Sequence, residues 1–208
     1  MPPSLSSIDR TPTKTTTSNT TDFQRNANYQ GDNLETAKWQ AKADACAAEI
    51  GRLRREAKCT LTALDRIEIQ ETVVLWDNAY DGLDKETFLD LMTDDFQYHT
   101  SAFGDMTGKP AMSDWFDTFT RTFTGKRHLL SNFVIVGEGD HAKMLSYLTV
   151  FERILHTEMV ATAIYFDQLV KLNGTWKMKK RLQVLDPGMT QTEYGKSLIN
   201  KYLASLSR

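Results

Sequence analysis

The chain has little of what would place it outside ordinary globular proteins. Its 208 residues include two cysteines and five prolines, and its formal net charge is −2. No apolar run approaches the roughly 18 residues that a membrane-spanning helix needs. The small charge gives no basic field, so we do not expect nucleic acid as a partner. Because the N-terminus has no apolar signal segment, we predict a cytoplasmic protein.

Sequence motifs for metals and cofactors are also missing. Cys46 and Cys59 stand without the His and Cys spacing of a zinc site. There is no P-loop, no G-x-G-x-x-G sequence and no G-x-S-x-G nucleophile elbow. We therefore expect no metal and no cofactor. Proton-transfer chemistry is then favoured, because it needs only a shaped cavity and one or two tuned side chains.

Composition divides the chain into four segments. Residues 1–32 are rich in Ser, Thr, Asn and Pro, which predicts a disordered tail. Residues 33–59 predict an Ala-rich helical extension that packs on the outside of the domain or on a partner chain. Residues 60–187 carry the patterning of one domain, and residues 188–208 predict a last amphipathic helix.

The first half of the domain predicts three helices. A stripe of apolar residues at steps of four and three ends at Tyr80, and Gly82 terminates this helix. A second helix is predicted over residues 85–93 and a third over residues 111–123.

The second half predicts long strands. After a short strand over residues 96–99, four strands follow from residue 127 to residue 185. Asn173-Gly174 between two alternating runs is a strong hairpin signal. Helices on one face of an antiparallel sheet give an α+β fold, and strong curvature would leave a cone with one open mouth.

A series of short motifs between Asp65 and Pro187 resembles one known family. The motifs are Trp76-Asp77-Asn78-Ala79-Tyr80-Asp81, Asp94-Asp95-Phe96, Gly108-Lys109-Pro110, His128 with Asn132, Tyr165-Phe166-Asp167, and Gly174-Thr175-Trp176-Lys177-Met178 with Arg181. Their order and spacing are similar to the SnoaL-like family of the NTF2 fold, and within it to the scytalone dehydratases. The resemblance implies a cone-shaped α+β barrel whose curved antiparallel sheet carries helices over its concave face. It also implies a small hydrophobic substrate and a homodimer.

The sequence departs from the scytalone dehydratases on two strands. Those enzymes use a second histidine where this chain has residues 151–154 (Phe-Glu-Arg-Ile). They also use a serine and an asparagine where this chain has Ala163 and Tyr165. We therefore do not expect scytalone itself to be the substrate.

Three side chains are predicted to be catalytic: His128, Asp81 and Tyr80. An imidazole exchanges protons near neutral pH, so His128 suits an acid–base step. Asp81 would fix its tautomer, and Tyr80 would polarise a substrate carbonyl. Structural roles stay open for each of them: a satisfied histidine at a strand start, a helix-ending carboxylate and a buried core tyrosine.

Six further side chains are predicted to bind the substrate: His99, Asn132, Tyr147, Tyr165, Trp115 and Phe119. Strand alternation turns only one of Tyr98 and His99 inward. Asn132 shares the strand parity of His128 and is expected to face the same side. Trp115 and Phe119 belong to the Phe-rich helix that we expect to wall the pocket.

The predicted function is a cofactor-independent dehydratase, cyclase or isomerase. It would act by acid–base catalysis on a hydrophobic polyketide- or terpenoid-like intermediate of secondary metabolism. A non-catalytic ligand-binding or assembly module of the same fold is the alternative. An epoxide hydrolase would need an Asp-Arg-Asp set, of which only Asp167 and Arg181 are recognisable, and these two favour a cross-strand ion pair. The neighbouring lysines and Arg181 are expected on an exposed face.

Overall fold

The computed structural model describes residues 33–56, 59–122, 124–154, 157–186 and 188. The predicted tail and all but one residue of the predicted C-terminal helix lie outside these ranges. The helices within them are α1 (Asn33–Arg55), α2 (Ala63–Asp81), α3 (Lys85–Asp90) and α4 (Gly108–Thr122). The strands are β1 (Met92–Thr100), β2 (Gly104–Thr107), β3 (Lys126–Glu138), β4 (His141–Glu152), β5 (Glu158–Leu172) and β6 (Thr175–Leu185). The described residues from Glu35 onward belong to one compact unit.

The six strands form one sheet in the order β2-β1-β6-β5-β4-β3. Hairpin connections make the pairs β3–β4, β4–β5 and β5–β6 antiparallel. Strand β1 pairs with β6 in parallel, because a long crossover leaves its direction free of any hairpin constraint. The α+β class is therefore confirmed. The sheet, however, is mixed rather than purely antiparallel, and it is not closed into a barrel.

Helix α2 is defined at both ends by local hydrogen bonds. The Thr62 hydroxyl accepts a hydrogen bond from the Asp65 N–H, and the Asp65 carboxylate accepts one from the Thr62 N–H, each at 3.0 Å. At the other end the Gly82 N–H donates to the Asn78 carbonyl at 2.8 Å. The predicted apolar stripe is buried, which confirms this helix: Ile69, Val73, Trp76 and Tyr80.

The boundary between α3 and β1 differs from the sequence prediction. Helix α3 ends at Asp90 rather than residue 93, and β1 begins at Met92 rather than residue 96. The Met178 N–H donates to the Leu91 carbonyl at 2.9 Å, and Met92 pairs with Met178 of β6. This long-range pairing extends the strand, and local propensity carries no signal for it. Strand β2 was not predicted.

The two faces of the sheet are covered by different helices. On one face α2, α3 and α4 enclose an aromatic core. On the other face Trp39, Ala43 and Ile50 of α1 pack against side chains of β3, β5 and β6, namely Val136, Phe166, Leu182 and Val184. The N-terminal helix thus lies on the outside of its own domain, one of the two places expected for it.

We predict that Ala43→Glu releases α1 from the sheet. Ala43 is 2% exposed, so a carboxylate there would be buried without a partner. Hydrogen exchange of the α1 amides should accelerate by about tenfold or more, since about 1.4 kcal/mol of lost protection gives that factor. Ala47→Glu, at an exposed position of the same helix, is the control and should change little. Equal exchange in the two variants would contradict the packing described.

Candidate active site

Asp81 and His128 form a doubly hydrogen-bonded pair. One carboxylate oxygen of Asp81, Oδ1, lies 2.7 Å from His128 Nδ1, and the other accepts the His128 backbone N–H at 2.7 Å. An ionised carboxylate only accepts hydrogen bonds, so Nδ1 carries the hydrogen. The second ring nitrogen, Nε2, is then the one that can exchange a proton with a substrate. The two side chains are 14% and 13% exposed.

The positions of the two residues follow from the ends of their elements. Asp81 is the last residue of α2, which Gly82 ends. His128 is the third residue of β3, where it pairs with Val150 of β4. The C-terminus of a helix carries partial negative charge, which disfavours a carboxylate. The two hydrogen bonds from His128 offset this penalty and orient the imidazole.

An aromatic wall lies beside the imidazole. The ring of Tyr80 lies 5.2 Å from that of His128, at an interplanar angle of 83°. Trp115 and Phe119 of α4 lie 5.4 and 5.8 Å from Tyr80. The structure thus brings together five residues of the sequence-predicted site on one side of the sheet.

A fully buried ion pair lies on the same side of the sheet. Arg181 donates from Nε and Nη2 to the two carboxylate oxygens of Asp167 at 2.7 and 3.1 Å. The two residues are directly opposite in β5 and β6, which confirms the predicted cross-strand pair. The prediction that Arg181 lies on an exposed face is wrong, because its side chain is 0% exposed. Its guanidinium lies 4.5 Å from the Trp76 ring and 3.9 Å from the Tyr165 ring.

Sequence reasoning missed Asp77. This residue is 2% exposed, and its Oδ1 lies 3.5 Å from Arg181 Nη1. Burial raises the pKa of Asp77 to about 6, although Arg181 and then His128 oppose the rise. Two signals were available: its position beside Trp76 on the buried stripe, and its i, i+4 spacing from Asp81. A carboxylate on a buried stripe needs a buried cation as its partner, but the sequence does not identify that cation.

Burial and charge act against each other on Arg181. Burial by itself lowers the pKa of Arg181, and the carboxylates of Asp167 and Asp77 more than offset this, so that the pKa is raised. The guanidinium therefore stays charged. Burial also raises the pKa of Asp167, although the charge of Arg181 and its hydrogen bonds to Asp167 oppose the rise.

The side chain of Gln183, on β6, also faces the interior. The Tyr98 hydroxyl and the Thr100 hydroxyl both donate to Gln183 Oε1, at 2.6 and 2.9 Å. Tyr98 therefore takes the inward position of β1, and His99 points to the other face. There His99 Nδ1 lies 2.9 Å from Asp105 Oδ1, beside α1. The structure does not bring His99 to His128.

Two more predicted residues lie away from the imidazole. A bulge between Ser131 and Val134 interrupts the pairing of β3 with β4. Asn132 sits in this bulge with a φ of 55° and is exposed, because one extra residue reverses the strand parity assumed for it. Tyr147 is 44% exposed on the face of β4 opposite to the buried Ser146 and Leu148.

Tyr165, another residue of the sequence-predicted site, is buried, and its ring lies against Arg181.

Other kinds of site have little support in the described ranges. No group of three or more His, Cys, Asp or Glu side chains there could hold a metal ion. No described helix is long and apolar enough to cross a membrane. Surface depressions of about 980 and 450 Å³ are lined by other residues than His128, Asp81 or Tyr80.

The fold is that of the NTF2-like proteins with a cystatin-like architecture. The model of the SnoaL-like domain family matches residues 61–182, more than half of the 208-residue chain. The chain therefore belongs to the SnoaL-like family. No curated protein matches its sequence.

Solved structures show the same fold. A protein of unknown function with a cystatin-like fold from Nostoc punctiforme is 34% identical, covering 64% of this chain and 98% of its own, with a TM-score of 0.60. An NTF2-like protein from Novosphingobium aromaticivorans is 21% identical over 71% of this chain and 92% of its own, with a TM-score of 0.55. A protein from the same species, provisionally assigned as a scytalone dehydratase, is 21% identical over 59% of this chain and 85% of its own, with a TM-score of 0.53.

We predict that Asp77 makes the stability of the protein fall as pH rises. Its pKa in the folded protein, about 6, lies above the ordinary value of 3.8, so the folded state binds this proton more tightly. The stabilisation is complete below about pH 4 and is lost as the pH passes about 6, a change of about 3 kcal/mol.

Urea unfolding of the wild type and Asp77→Asn at several pH values measures this change. Between about pH 4 and about pH 7 the wild type should lose about 2.4 kcal/mol of this stabilisation relative to the variant. Asp94→Asn is the control, because the Asp94 side chain is 97% exposed. A difference between wild type and Asp77→Asn that does not depend on pH would refute the assignment.

We also predict that Asp81 fixes the tautomer of His128. In the wild type the neutral ring should carry its hydrogen on Nδ1, and ¹⁵N NMR of the imidazole nitrogens reports this directly. Asp81→Ala removes the acceptor and should reduce the population of that tautomer. Asp94→Ala should leave it as in the wild type. An unchanged spectrum in Asp81→Ala would show that the carboxylate does not orient the ring.

Proposed function

We propose that the protein is a cofactor-independent dehydratase, cyclase or isomerase that acts by acid–base catalysis on a small hydrophobic substrate. The observation that carries this proposal is the Asp81–His128 pair, in which one carboxylate holds both the backbone and Nδ1 of the histidine. Such an arrangement leaves a single ring nitrogen for proton exchange and fixes its direction. Membership of the SnoaL-like family supports the same chemistry.

In the proposed reaction His128 Nε2 removes a proton from the carbon next to a substrate carbonyl. The electron pair of the broken C–H bond forms an enolate, and Asp81 stabilises the imidazolium. The imidazolium then returns the proton. Its delivery to a leaving hydroxyl releases water and completes a dehydration, whereas delivery to another carbon completes an isomerisation. In a cyclisation the enolate carbon first attacks a second carbonyl of the same substrate, and the new alkoxide receives the proton.

The aromatic wall supports a hydrophobic substrate. Tyr80, Trp115 and Phe119 are 5%, 6% and 8% exposed, so the imidazole works against a surface that excludes water. Exclusion of water strengthens the Asp81–His128 interaction and holds the substrate in one orientation. A ring-containing intermediate of the polyketide or terpenoid type fits these requirements. Tyr80 would help to orient its carbonyl.

The test is an activity screen of the wild type against neutral hydroxy-ketones and polyketide-like ring compounds, followed by mass spectrometry and NMR. On any substrate found, His128→Ala should lower kcat by about 10²–10⁴, the usual contribution of one acid–base group. His141→Ala is the matched control, because His141 is exposed at the start of β4. Full activity in His128→Ala would rule out the mechanism. Saturable binding without turnover of any compound would instead favour a non-catalytic binding module.

The buried cluster favours a second candidate function, the hydration of an epoxide. Asp77 adds a second carboxylate to the Asp167–Arg181 pair, which gives the Asp-Arg-Asp set that the sequence alone did not reveal. In that reaction a carboxylate accepts a proton from water while the water oxygen attacks an epoxide carbon. The ring C–O bond breaks, its oxygen takes a proton from the second carboxyl group of the set, and a diol forms. Isotope-labelled water separates the candidates, because only hydration adds solvent oxygen to the product.

A further inference from the structure

Several buried polar atoms near the acid–base pair have no hydrogen-bond partner among the described residues, and two of them belong to one ion pair. They are Arg181 Nη1 and Asp77 Oδ2. Arg181 is 0% exposed and Asp77 is 2% exposed. A buried polar atom without a partner costs about 1–3 kcal/mol, so native proteins keep few of them, and a functional role is one reason for keeping them. Here a donor and an acceptor occur side by side.

The geometry explains why these two atoms do not satisfy each other. Nη1 lies 3.5 Å from the other oxygen of Asp77, Oδ1, which is too long for a good hydrogen bond. The guanidinium cannot turn towards Asp77, because Asp167 holds it in a bidentate contact. The rings of Trp76 and Tyr165 lie against it as well. The donor and the acceptor are therefore fixed in place.

The pair of atoms lies within reach of the proposed reaction centre. Asp77 and Asp81 are four residues apart on α2, so they share one side of the helix at a separation of about 6 Å along its axis. The charges of His128 and Asp81 both influence Asp77, which agrees with this proximity. The ion pair of Asp77 with Arg181 and the pair of Asp81 with His128 are therefore attached to α2 about one helical turn apart.

Charge and hydrogen-bonding capacity together select the group that would bind. A hydroxyl satisfies both atoms at once, because its oxygen accepts from Arg181 Nη1 while its O–H donates to Asp77 Oδ2. A carboxylate or phosphate is disfavoured, because Asp167 already neutralises Arg181 and Asp77 adds a further acid. A hydrocarbon would leave both atoms without partners.

We propose that Asp77 and Arg181 form a subsite that binds a hydroxyl group of a neutral, ring-sized substrate. The subsite deepens the proposed function, since it would hold the far edge of the ring while His128 acts on the near edge. This proposal rests on the proposed function only for the position of the reacting carbon beside His128. Binding at the subsite can therefore be tested without turnover.

The experiment compares three ring compounds of similar shape, which are phenol, toluene and benzoate. Each is titrated into the full-length wild-type protein, and the dissociation constants come from two-dimensional NMR with the indole resonances of Trp76 and Trp115 as reporters. Phenol should bind about tenfold more tightly than toluene, the value of one net buried hydrogen bond. Benzoate should bind no better than toluene. Equal affinities for phenol and toluene, or tightest binding of benzoate, would overturn the proposal.

Variants of α2 assign the preference to Asp77. Asp77→Leu should abolish the preference for phenol, whereas Asn78→Leu, at the exposed next position of the same helix, should retain it. Asp77→Asn keeps an acceptor oxygen without the charge, so it should retain the preference for phenol and improve the binding of benzoate. An undiminished preference in a folded Asp77→Leu protein would contradict the assignment. The comparison of phenol with toluene in the wild type stands even if that variant does not fold.

His128→Asn separates this proposal from the proposed function. The substitution removes the acid–base group and leaves Asp77 and Arg181 unchanged, so the tenfold preference for phenol should persist. Its loss in a folded His128→Asn protein would show that the hydroxyl binds at the imidazole and would overturn the subsite. Activity that survives His128→Ala would instead refute the mechanism without affecting the preference for phenol.

Discussion

The guanidinium of Arg181 is fully buried, and a protein tolerates a buried charge only where other groups compensate for it. Here the compensation comes from two elements, β5 and α2. Asp167 lies opposite Arg181 in the register of β5 on β6, and the rings of Tyr165 and Trp76 lie against the cation. Asp77 joins α2 to the same point of the sheet. The position of Asp81 follows, because it lies one helical turn further along α2. The location of the acid–base pair thus depends on how a neighbouring charge is buried.

Two carboxylates on α2 illustrate how environment separates identical side chains. Asp81 is partly exposed and accepts two hydrogen bonds from His128, which suits an ionised partner for an imidazole. Asp77 is buried beside a cation that Asp167 already neutralises, and burial raises its pKa to about 6. Neighbouring acids whose environments differ in this way are a recurrent feature of acid–base sites. In this chain one helix carries both, and each faces a different strand.

Helix α1 is an addition to the family domain. The family model begins at residue 61, whereas α1 ends at Arg55, and its apolar side chains cover part of the outer face of the sheet. Both faces of β6 are consequently buried along much of its length. A strand that is covered on both sides has little freedom to shift. The helix therefore helps to hold Arg181 and Gln183 in position on the inner face, although it is remote from His128.

Local sequence patterns determined much of the secondary structure and strand pairing of this protein. The capped and striped helix α2, the hairpin at Asn173-Gly174 and the opposition of Asp167 and Arg181 all follow from sequence spacing, because each depends on residues close in the chain or on strand alternation. Motif order also identified the family and the two partners Asp81 and His128. Only the tertiary structure decided the parallel pairing of β1 with β6, the parity reversal at Asn132, the inward choice of Tyr98 over His99, and the contact of Asp77 with Arg181. These features depend on register between segments that are distant in sequence, and one residue of shift moves a side chain to the opposite face.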